Sequence, residues 1–240
     1  MTLGSISDPN PTEQTKGQKI IELRALLAQR FPTSATPAAE RARLATGIET
    51  LDRRLEGGLP KAALTEVVCP AQSMGSGTII QSLIKSTQAA GQHLALVDAG
   101  NSFDPDGSTN EHLAALLWVR CHGPEQAIKA ADLLCRDNNL PLVVLDLMMC
   151  SPRQVQAIPT TYWYRLQRVA EGNGSVVLVF TPVPVVGSAT CTLRLSRRFR
   201  LPSLDVLRDQ LAASLEAEPL RSRTIQPFHP SAHPSSLAVG

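Results

Sequence analysis

The stretch Val68–Ile79, which reads VCPAQSMGSGTI, is the part of the chain that decides the fold. It follows an apolar run, Ala63–Val68, that predicts a strand, and it leads into Thr78–Ala90, where isoleucine and leucine recur at helical spacing. A strand that passes through a turn rich in glycine and serine into a helix is the setting of a phosphate-binding loop in a parallel sheet. The stretch therefore predicts an α/β fold with a ligand site at this turn.

This turn lacks the residue that gives such a site its positive charge. A working phosphate loop reads G-x-x-x-x-G-K-[ST], and its lysine neutralises phosphate oxygens. If Gly77 is the last glycine of the pattern, Thr78 takes the lysine position. If Gly75 is the last glycine, Ser76 takes it, and the nearest lysine is Lys85. The loop candidates for a vestigial nucleotide site are therefore Gly75, Ser76, Gly77 and Thr78. The alternative is a plain strand-to-helix turn.

Strand and helix patterns alternate along the rest of the chain. The further predicted strands are His93–Asp98, Leu117–Arg120, Leu140–Leu145, Ser175–Phe180 and the alternating Cys191–Leu195. The further predicted helices are Glu111–Leu117, Pro124–Cys135, Tyr162–Glu171 and Ser203–Ala217. Apolar strands without alternation indicate that both faces of the sheet are covered, so the sequence predicts a mostly parallel sheet between helices. Because it alternates, the last strand is predicted to lie at an edge of the sheet.

Composition divides the chain into four parts. Residues 1–42 hold a flexible arm, an amphipathic helix over residues 18–31 and a small-residue linker. Residues 43–202 are predicted to form the α/β core, and residues 203–223 a helical extension. Residues 224–240, rich in proline and serine, are predicted to be a disordered tail.

Asp146 is the fifth candidate residue of the vestigial nucleotide site. It directly follows the apolar run LPLVVL. In a phosphate-loop protein, an aspartate at the end of such a strand holds Mg²⁺. The alternative is an aspartate that caps the turn after the strand.

The composition argues against several other classes of protein. With 23 basic and 21 acidic residues, the net charge of +2 does not indicate a nucleic-acid binder. Five widely spaced cysteines without a CxxC pair predict reduced thiols, two of them (Cys69 and Cys150) buried, rather than a zinc site. No apolar run reaches the roughly 20 residues of a membrane helix, and no signal-peptide pattern is visible. We therefore expect a cytoplasmic protein without a metal site and without membrane contact.

Several segments together resemble the core of the RecA family, in the family's order, over roughly residues 44–200. They are Thr46-Gly47, Leu51-Asp52 and Gly57–Pro60 before the first strand, Val97–Pro105 (VDAGNSFDP), Gly123–Ala127 (GPEQA) and the strand that ends at Asp146. The resemblance implies a RecA-like phosphate-loop core.

The departures from RecA concern the groups that hydrolyse ATP. Besides the missing lysine, the family's catalytic glutamate falls at Gly100, and its γ-phosphate sensor falls at Thr181-Pro182. The two DNA-binding loops of the family correspond to Ser151–Thr160 and Val183–Ala189. The cation, base and sensor each supply several kcal/mol of transition-state stabilisation. The resemblance therefore implies that the chain is not an enzyme and has no cofactor beyond weak residual ATP binding.

A lysine-free GSG loop, the leading segment LRALLAQRFP and the segment GGLPKAALTEV resemble the ImuA family, which are RecA-related accessory proteins of bacterial SOS mutagenesis. The resemblance implies a non-catalytic scaffold or regulator of error-prone translesion DNA synthesis. Its implied partners are a Y-family polymerase homologue (ImuB-like), RecA and an error-prone DnaE-type polymerase, with indirect association with DNA. Two alternatives stay open: a SulA-like inhibitor of cell division, and a divergent DNA-stimulated ATPase of the RecA/KaiC type.

Four arginines lie close together near the end of the predicted core: Arg194, Arg197, Arg198 and Arg200. No acidic residue separates them, and arginine is suited to bidentate contact with carboxylates and phosphates. We interpret them as a candidate docking surface for the Y-family polymerase homologue or RecA. The alternative is an edge strand whose charges keep it from pairing with other chains.

Overall fold

Seven strands form one sheet in the order β5-β4-β6-β7-β3-β8-β9 in the computed structural model, which describes residues 42–137 and 139–222. The sheet strands are β3 (Ala63–Val68), β4 (Leu94–Asp98), β5 (Leu116–Arg120), β6 (Leu142–Asp146), β7 (Val176–Thr181), β8 (Cys191–Leu195) and β9 (Ala217–Ser222). A short antiparallel pair, β1 (Arg43–Leu44) and β2 (Leu59–Pro60), precedes them. The predicted arm, the helix over residues 18–31, almost all of the linker and the tail over residues 224–240 lie outside the described residues.

The helices lie on both faces of this sheet. They are α1 (Glu49–Arg54), α2 (Ser76–Ala89), α3 (Asn110–Ala114), α4 (Pro124–Asp137), α5 (Pro152–Gln156), α6 (Thr160–Asn173) and α7 (Arg208–Ala213). On one face, apolar residues of α2 such as Ile79 and Leu83 pack in one core cluster. On the other, Ile128 of α4 and Leu166 of α6 pack in a second cluster.

The predicted α/β fold, with a mostly parallel sheet between helices, is confirmed. All pairings between neighbouring strands from β5 to β8 are parallel, and β9 alone runs antiparallel to β8. Every residue of β3, β4, β6 and β7 is buried, as expected of strands covered on both faces. The carboxyl ends of these strands meet at one edge of the sheet, where ligands bind in open α/β folds.

The prediction for the chain after Pro202 is wrong in its main point. Instead of a helix over Ser203–Ala217, the chain forms a 3₁₀ turn at Leu201–Asp205, the short α7, and then β9. Consequently β8 is not an edge strand, because it pairs with β3 on one side and with β9 on the other. The physical reason is that β8 has backbone groups on its outer side to satisfy, and β9 supplies their partners.

All five cysteines are buried as free thiols. Among residues 42–137 and 139–222, no helix has the length and apolar character needed to cross a bilayer.

Candidate functional site

The observed bounds of β3 and α2 favour a register of the loop that differs from both of those considered from the sequence. The strand ends at Val68 and the helix begins at Ser76, with Gly75 as its N-cap at φ 102°. When the phosphate-loop pattern begins directly after the strand, Met74 falls at its second glycine, Gly75 at its lysine and Ser76 at its hydroxyl position. The loop thus retains the hydroxyl that would face a metal ion, and it still lacks the lysine.

The interior of this loop is partly occupied by its own side chain. The backbone N–H of Ala71 donates to the Sδ of Met74 at 3.3 Å, and Met74 is buried. In a working loop, such backbone N–H groups point at phosphate oxygens. One donor of the cradle is therefore committed to a thioether.

The C-terminal part of the chain presses on the other side of the loop. The N–H of Phe199 donates to the carbonyl oxygen of Ser73 at 2.8 Å. A Cβ built at Gly75 would overlap the Cδ2 atom of Leu215 and would lie 3.0 Å from the ring of Phe199. Only glycine permits this approach together with a positive φ, so Gly75 has a packing role whether or not the loop binds an anion.

Asp146 lies at the carboxyl end of β6, directly opposite Asp98 on β4. Its Oδ1 accepts the N–H of Met148 at 2.9 Å. Burial raises the pKa of Asp146 to about 6; the Met148 hydrogen bond lowers it, the Asp98 charge raises it, and a hydrogen bond with Ser102 lowers it. Asp146 thus caps the turn after β6, which is the alternative considered from the sequence. Its carboxyl group also lines the cavity beside the phosphate loop.

Asp98 organises the segment that follows β4. Its two carboxylate oxygens accept the backbone N–H groups of Gly100 at 3.2 Å, Ser102 at 3.1 Å and Phe103 at 3.0 Å. The indole Nε1 of Trp118 donates to it at 3.4 Å. Sequence reasoning assigned no role to this residue, although an aspartate at the end of an apolar strand is a signal for such a turn.

The catalytic-glutamate position is closed by a side chain. A Cβ built at Gly100 would overlap the Cβ of Met149, which follows β6. At the position of the γ-phosphate sensor, Thr181 donates its hydroxyl to the buried Glu66 at 3.1 Å. Neither position presents a free polar group toward a ligand.

A cavity of about 440 Å³ lies between the phosphate loop and Asp146. Its lining includes Ser76, Gly77, Thr78, Asp146, Met149 and Arg208. Arg208 supplies a cation that sequence reasoning did not find, because the residue lies far along the chain in α7. Its Nη1 donates to the carbonyl oxygen of Gly107 at 2.7 Å. These residues do not fit a hydrolytic MgATP site, because the loop lysine and the water-activating glutamate are both missing.

Cys69, at the first position of the loop, is buried. Burial, followed by the charge of Asp146, raises the pKa of Cys69 to about 12, so the thiol stays protonated. The described residues, 42–137 and 139–222, contain no group of three metal-ligating side chains.

The segments at the positions of the two DNA-binding loops are both held by hydrogen bonds, local in the first segment and to β3 in the second. The first contains α5, which Ser151 caps together with Gln154. In the second, the N–H groups of Val185 and Val186 donate to one oxygen of Glu66 at 2.8 and 3.1 Å.

The four arginines are not equivalent in the folded chain. Arg194 is the exposed residue of β8. Arg197 lies over the ring of Phe199 and forms an ion pair with Glu216 at 3.7 Å. Arg198 and Arg200 are both exposed, and no ion pair to either is formed within the described ranges.

The structure brings two separately predicted sites together. A second cavity, of about 1090 Å³, lies between the phosphate loop and the C-terminal part of the chain. Its lining includes Gly75, Ser76, Gly77 and Thr78 from the loop and α2, and Arg198, Phe199, Arg200, Leu201 and Leu211 from the C-terminal part. We name this cavity the arginine groove. Asp146 belongs to the other cavity, and Arg194 and Arg197 line neither.

Three curated relatives share sequence with part of this chain. DNA repair protein recA homolog 1, chloroplastic, of Arabidopsis thaliana is 35% identical over 103 residues, which are 42% of this chain and 23% of that protein. Protein RecA of Pseudomonas fluorescens (strain Pf-5) is 35% identical over 106 residues, 43% of this chain and 30% of that protein. Protein RecA of Synechocystis sp. (strain PCC 6803) is 33% identical over 105 residues, 43% of this chain and 29% of that protein. The chain thus spans less than a third of the length of these relatives.

The RecA N-terminal domain family matches residues 34–154, just over half of the chain. The matched stretch contains the phosphate loop, Asp98, Gly100 and Asp146, whereas the arginines of the groove lie after it. With this match, the buried parallel sheet and the strand–loop–helix at residues 63–89, the chain belongs to the RecA N-terminal domain family.

Proposed function

We propose that this chain is a non-catalytic RecA-fold protein of DNA repair that acts through contacts with other proteins. Membership of the RecA family and the curated DNA-repair relatives support the link with repair. The altered phosphate loop and the arginine groove support a role in binding rather than in catalysis.

The observation that carries the proposal is the contact between Gly100 and Met149. A glutamate at position 100 would have to displace Met149, which follows the neighbouring strand. No carboxylate therefore stands at the position of the family's catalytic glutamate to orient an attacking water, and the loop has no lysine to neutralise the developing charge. Such groups account for a large part of the acceleration of phosphoryl transfer.

The more specific form of the proposal is a scaffold for error-prone translesion synthesis, as the resemblance to the ImuA family implies. In this form, the chain binds a Y-family polymerase homologue, RecA and an error-prone DnaE-type polymerase. It reaches DNA through these partners. The exposed arginines at positions 194, 198 and 200 supply the charge for docking.

Phosphate release with Mg²⁺, ATP and single-stranded DNA tests the absence of catalysis, with a RecA protein as the positive control. We expect no turnover above background. Gly100→Glu should not create activity, because Met149 occupies the space its side chain needs. DNA-stimulated turnover that Asp146→Ala abolishes would contradict the proposal.

One observation favours the alternative, a divergent DNA-stimulated ATPase. The cavity beside Asp146 keeps the Ser76 hydroxyl and gains the guanidinium of Arg208. Equilibrium binding of labelled ATP separates the two functions. Tight Mg²⁺-dependent binding that both Asp146→Ala and Arg208→Ala weaken favours the ATPase, and its absence favours the scaffold.

Co-expression with a Y-family polymerase homologue tests the specific partner. We expect a complex that survives size-exclusion chromatography and is weakened by the double variant Arg198→Glu/Arg200→Glu. Arg168→Glu makes the same kind of charge change on α6, at the opposite helix layer, and serves as the control. If the double variant binds as the wild type does, the docking surface lies elsewhere.

A further inference from the structure

The arginine groove has open space at Gly77, one of the residues that line it. A Cβ built at Gly77 would meet no atom within 4 Å, although Gly77 lies in the first turn of α2. The groove has about 1090 Å³ of space between α2 and the chain from Arg198 to Ser203. This space is large enough for two or three side chains of a bound segment.

The charge at the groove is strongly one-sided. From Arg194 to Arg208 the sequence has five arginines and one acidic residue, Asp205. Arg198 and Arg200, which line the groove, are exposed and form no ion pair with the carboxylates of residues 42–137 and 139–222. Their planar guanidinium groups are suited to paired hydrogen bonds with carboxylates.

Apolar side chains border the same charges. Leu201 lines the groove and is 81% exposed, and Leu207 nearby in sequence is 72% exposed. Phe199 and Leu211 supply further apolar lining. Arginines beside apolar pockets are typical of the positions that contribute most to protein–protein binding.

We propose that the arginine groove binds an acidic peptide segment of a partner protein that carries an apolar anchor. The carboxylates of this segment pair with Arg198 and Arg200, and its apolar side chain lies between Gly77 and Leu201. Charge complementarity selects the acidic partner, and the apolar lining selects a peptide. The proposal deepens the proposed function and rests on it, since that function makes protein contacts the work of the chain.

A nucleic acid fits the same surface less well. Single-stranded nucleic acid is bound by aromatic platforms beside basic residues. The one aromatic ring that lines the groove, Phe199, is covered by the guanidinium of Arg197 at 5.9 Å and packs against the phosphate loop. Exposed leucines offer nothing to a phosphate backbone.

Fluorescence anisotropy with the full chain tests this assignment. The probe is a fluorescein-labelled peptide of about 12 residues, with a central Leu-Phe pair flanked by aspartates and glutamates. Two matched probes replace either the acidic residues by lysine or the Leu-Phe pair by alanine. We expect saturable binding of the first probe, at least about tenfold weaker binding of either matched probe, and weakening by salt.

Two kinds of variant then locate the binding. Arg198→Glu/Arg200→Glu reverses the charge of the groove. Gly77→Trp fills the open space at Gly77, where the backbone conformation accepts a side chain. Each is expected to weaken binding of the first probe at least about tenfold, whereas Arg168→Glu should leave its binding unchanged. Because the matched peptides are tested on the unaltered chain, misfolding of a variant would not remove the test.

The proposal is overturned if the lysine probe binds as well as the acidic one, or if neither variant weakens binding. It is also overturned if a single-stranded oligonucleotide displaces the acidic probe and binds more tightly, which would assign the groove to nucleic acid. A polymerase complex that forms while the acidic probe fails would keep the proposed function and reject the groove. Binding of the probe without any polymerase complex would keep the groove as a peptide site and reject the polymerase homologue as the partner.

Discussion

At the scale of single residues, Glu66 is the clearest case of a buried polar group that the fold depends on. This β3 side chain is 1% exposed, and four donors from two other parts of the chain converge on it. They are the hydroxyls of Thr181 and Thr192 and the backbone N–H groups of Val185 and Val186. Glu66 therefore fixes the segment between β7 and β8 on β3.

We expect Glu66→Ala to lower the free energy of unfolding by about 3 kcal/mol, because it leaves buried donors unpaired. Glu66→Gln should cost clearly less, since its carbonyl oxygen can keep three donors and its amide can donate to the hydroxyl of Thr192. Urea unfolding followed by the fluorescence of Trp118 and Trp163 measures both. Equal losses for the two variants would show that the hydrogen bonds contribute little.

Asp146 makes stability depend on pH. Burial raises the pKa of Asp146 from 3.8 to about 6. Between these values the folded state binds more protons than the unfolded state, so the contribution of Asp146 to stability falls as the pH rises. Asp146→Asn removes this change and should gain about 2 to 3 kcal/mol relative to the wild type between pH 4 and pH 7.

Urea unfolding at several pH values measures the difference between this variant and the wild type. Ser76→Ala, which removes no titrating group from the same cavity, should differ from the wild type by a constant amount. A constant difference for Asp146→Asn as well would mean that the pKa of Asp146 is not raised.

At the scale of secondary-structure elements, α4 and α6 are joined by one buried carboxylate. The Nε of Arg165 on α6 donates a hydrogen bond to the Oδ1 of Asp132 on α4 at 2.8 Å. The Nη2 of Arg165 donates to the Oδ2 of the same carboxylate. Arg136, one turn further along α4, donates to that oxygen at 2.9 Å. This bidentate contact orients the two helices on their face of the sheet.

Asp132→Asn should lower the free energy of unfolding by about 1 to 2 kcal/mol, because the aspartate is buried while both arginines are half exposed. Glu49→Gln breaks the exposed pair with Arg53 in α1 and should cost less than about 0.5 kcal/mol. Thermal or urea unfolding of both variants gives the comparison. Losses of the same size would mean that the α4–α6 contact contributes no more than a surface pair.

At the scale of the whole molecule, the C-terminal part of the chain completes the sheet and packs on the phosphate loop. Leu215, between α7 and β9, is buried against Gly75, and Lys85 of α2 pairs with Asp209 of α7 at 3.2 Å. The outermost strand, the loop and the arginine groove therefore form as one unit.

Leu215→Ala should lower the free energy of unfolding by about 2 to 3 kcal/mol, because it leaves a cavity where the C-terminal part meets the loop. Leu220→Ala in β9 removes the same atoms from a side chain that is 45% exposed and should cost less than about 1 kcal/mol. Urea unfolding measures both. Equal effects would show that Leu215 is not part of the core.

Local pattern was sufficient for the layers of this fold. The predicted bounds of the strands from β3 to β8 differ from the observed ones by at most two residues. Buried parallel strands are continuous apolar runs, and the helices between them repeat their apolar residues with the helical period, so neighbouring residues carry the signal. The absence of the loop lysine and of the glutamate at position 100 is likewise written in the chain.

The site itself depends on contacts between residues distant in sequence. Nothing near Arg198 in the sequence indicates that it lines one cavity with Gly77. The sequence also does not indicate that Arg208 and Asp146 line another cavity, or that Ala217–Ser222 form a strand on β8. These contacts form because Leu215 is buried against the loop and because β9 pairs with the backbone groups of β8. Both depend on the assembled sheet. For that reason the sequence determines which charged and apolar residues are present, whereas only the tertiary structure determines that they line one groove.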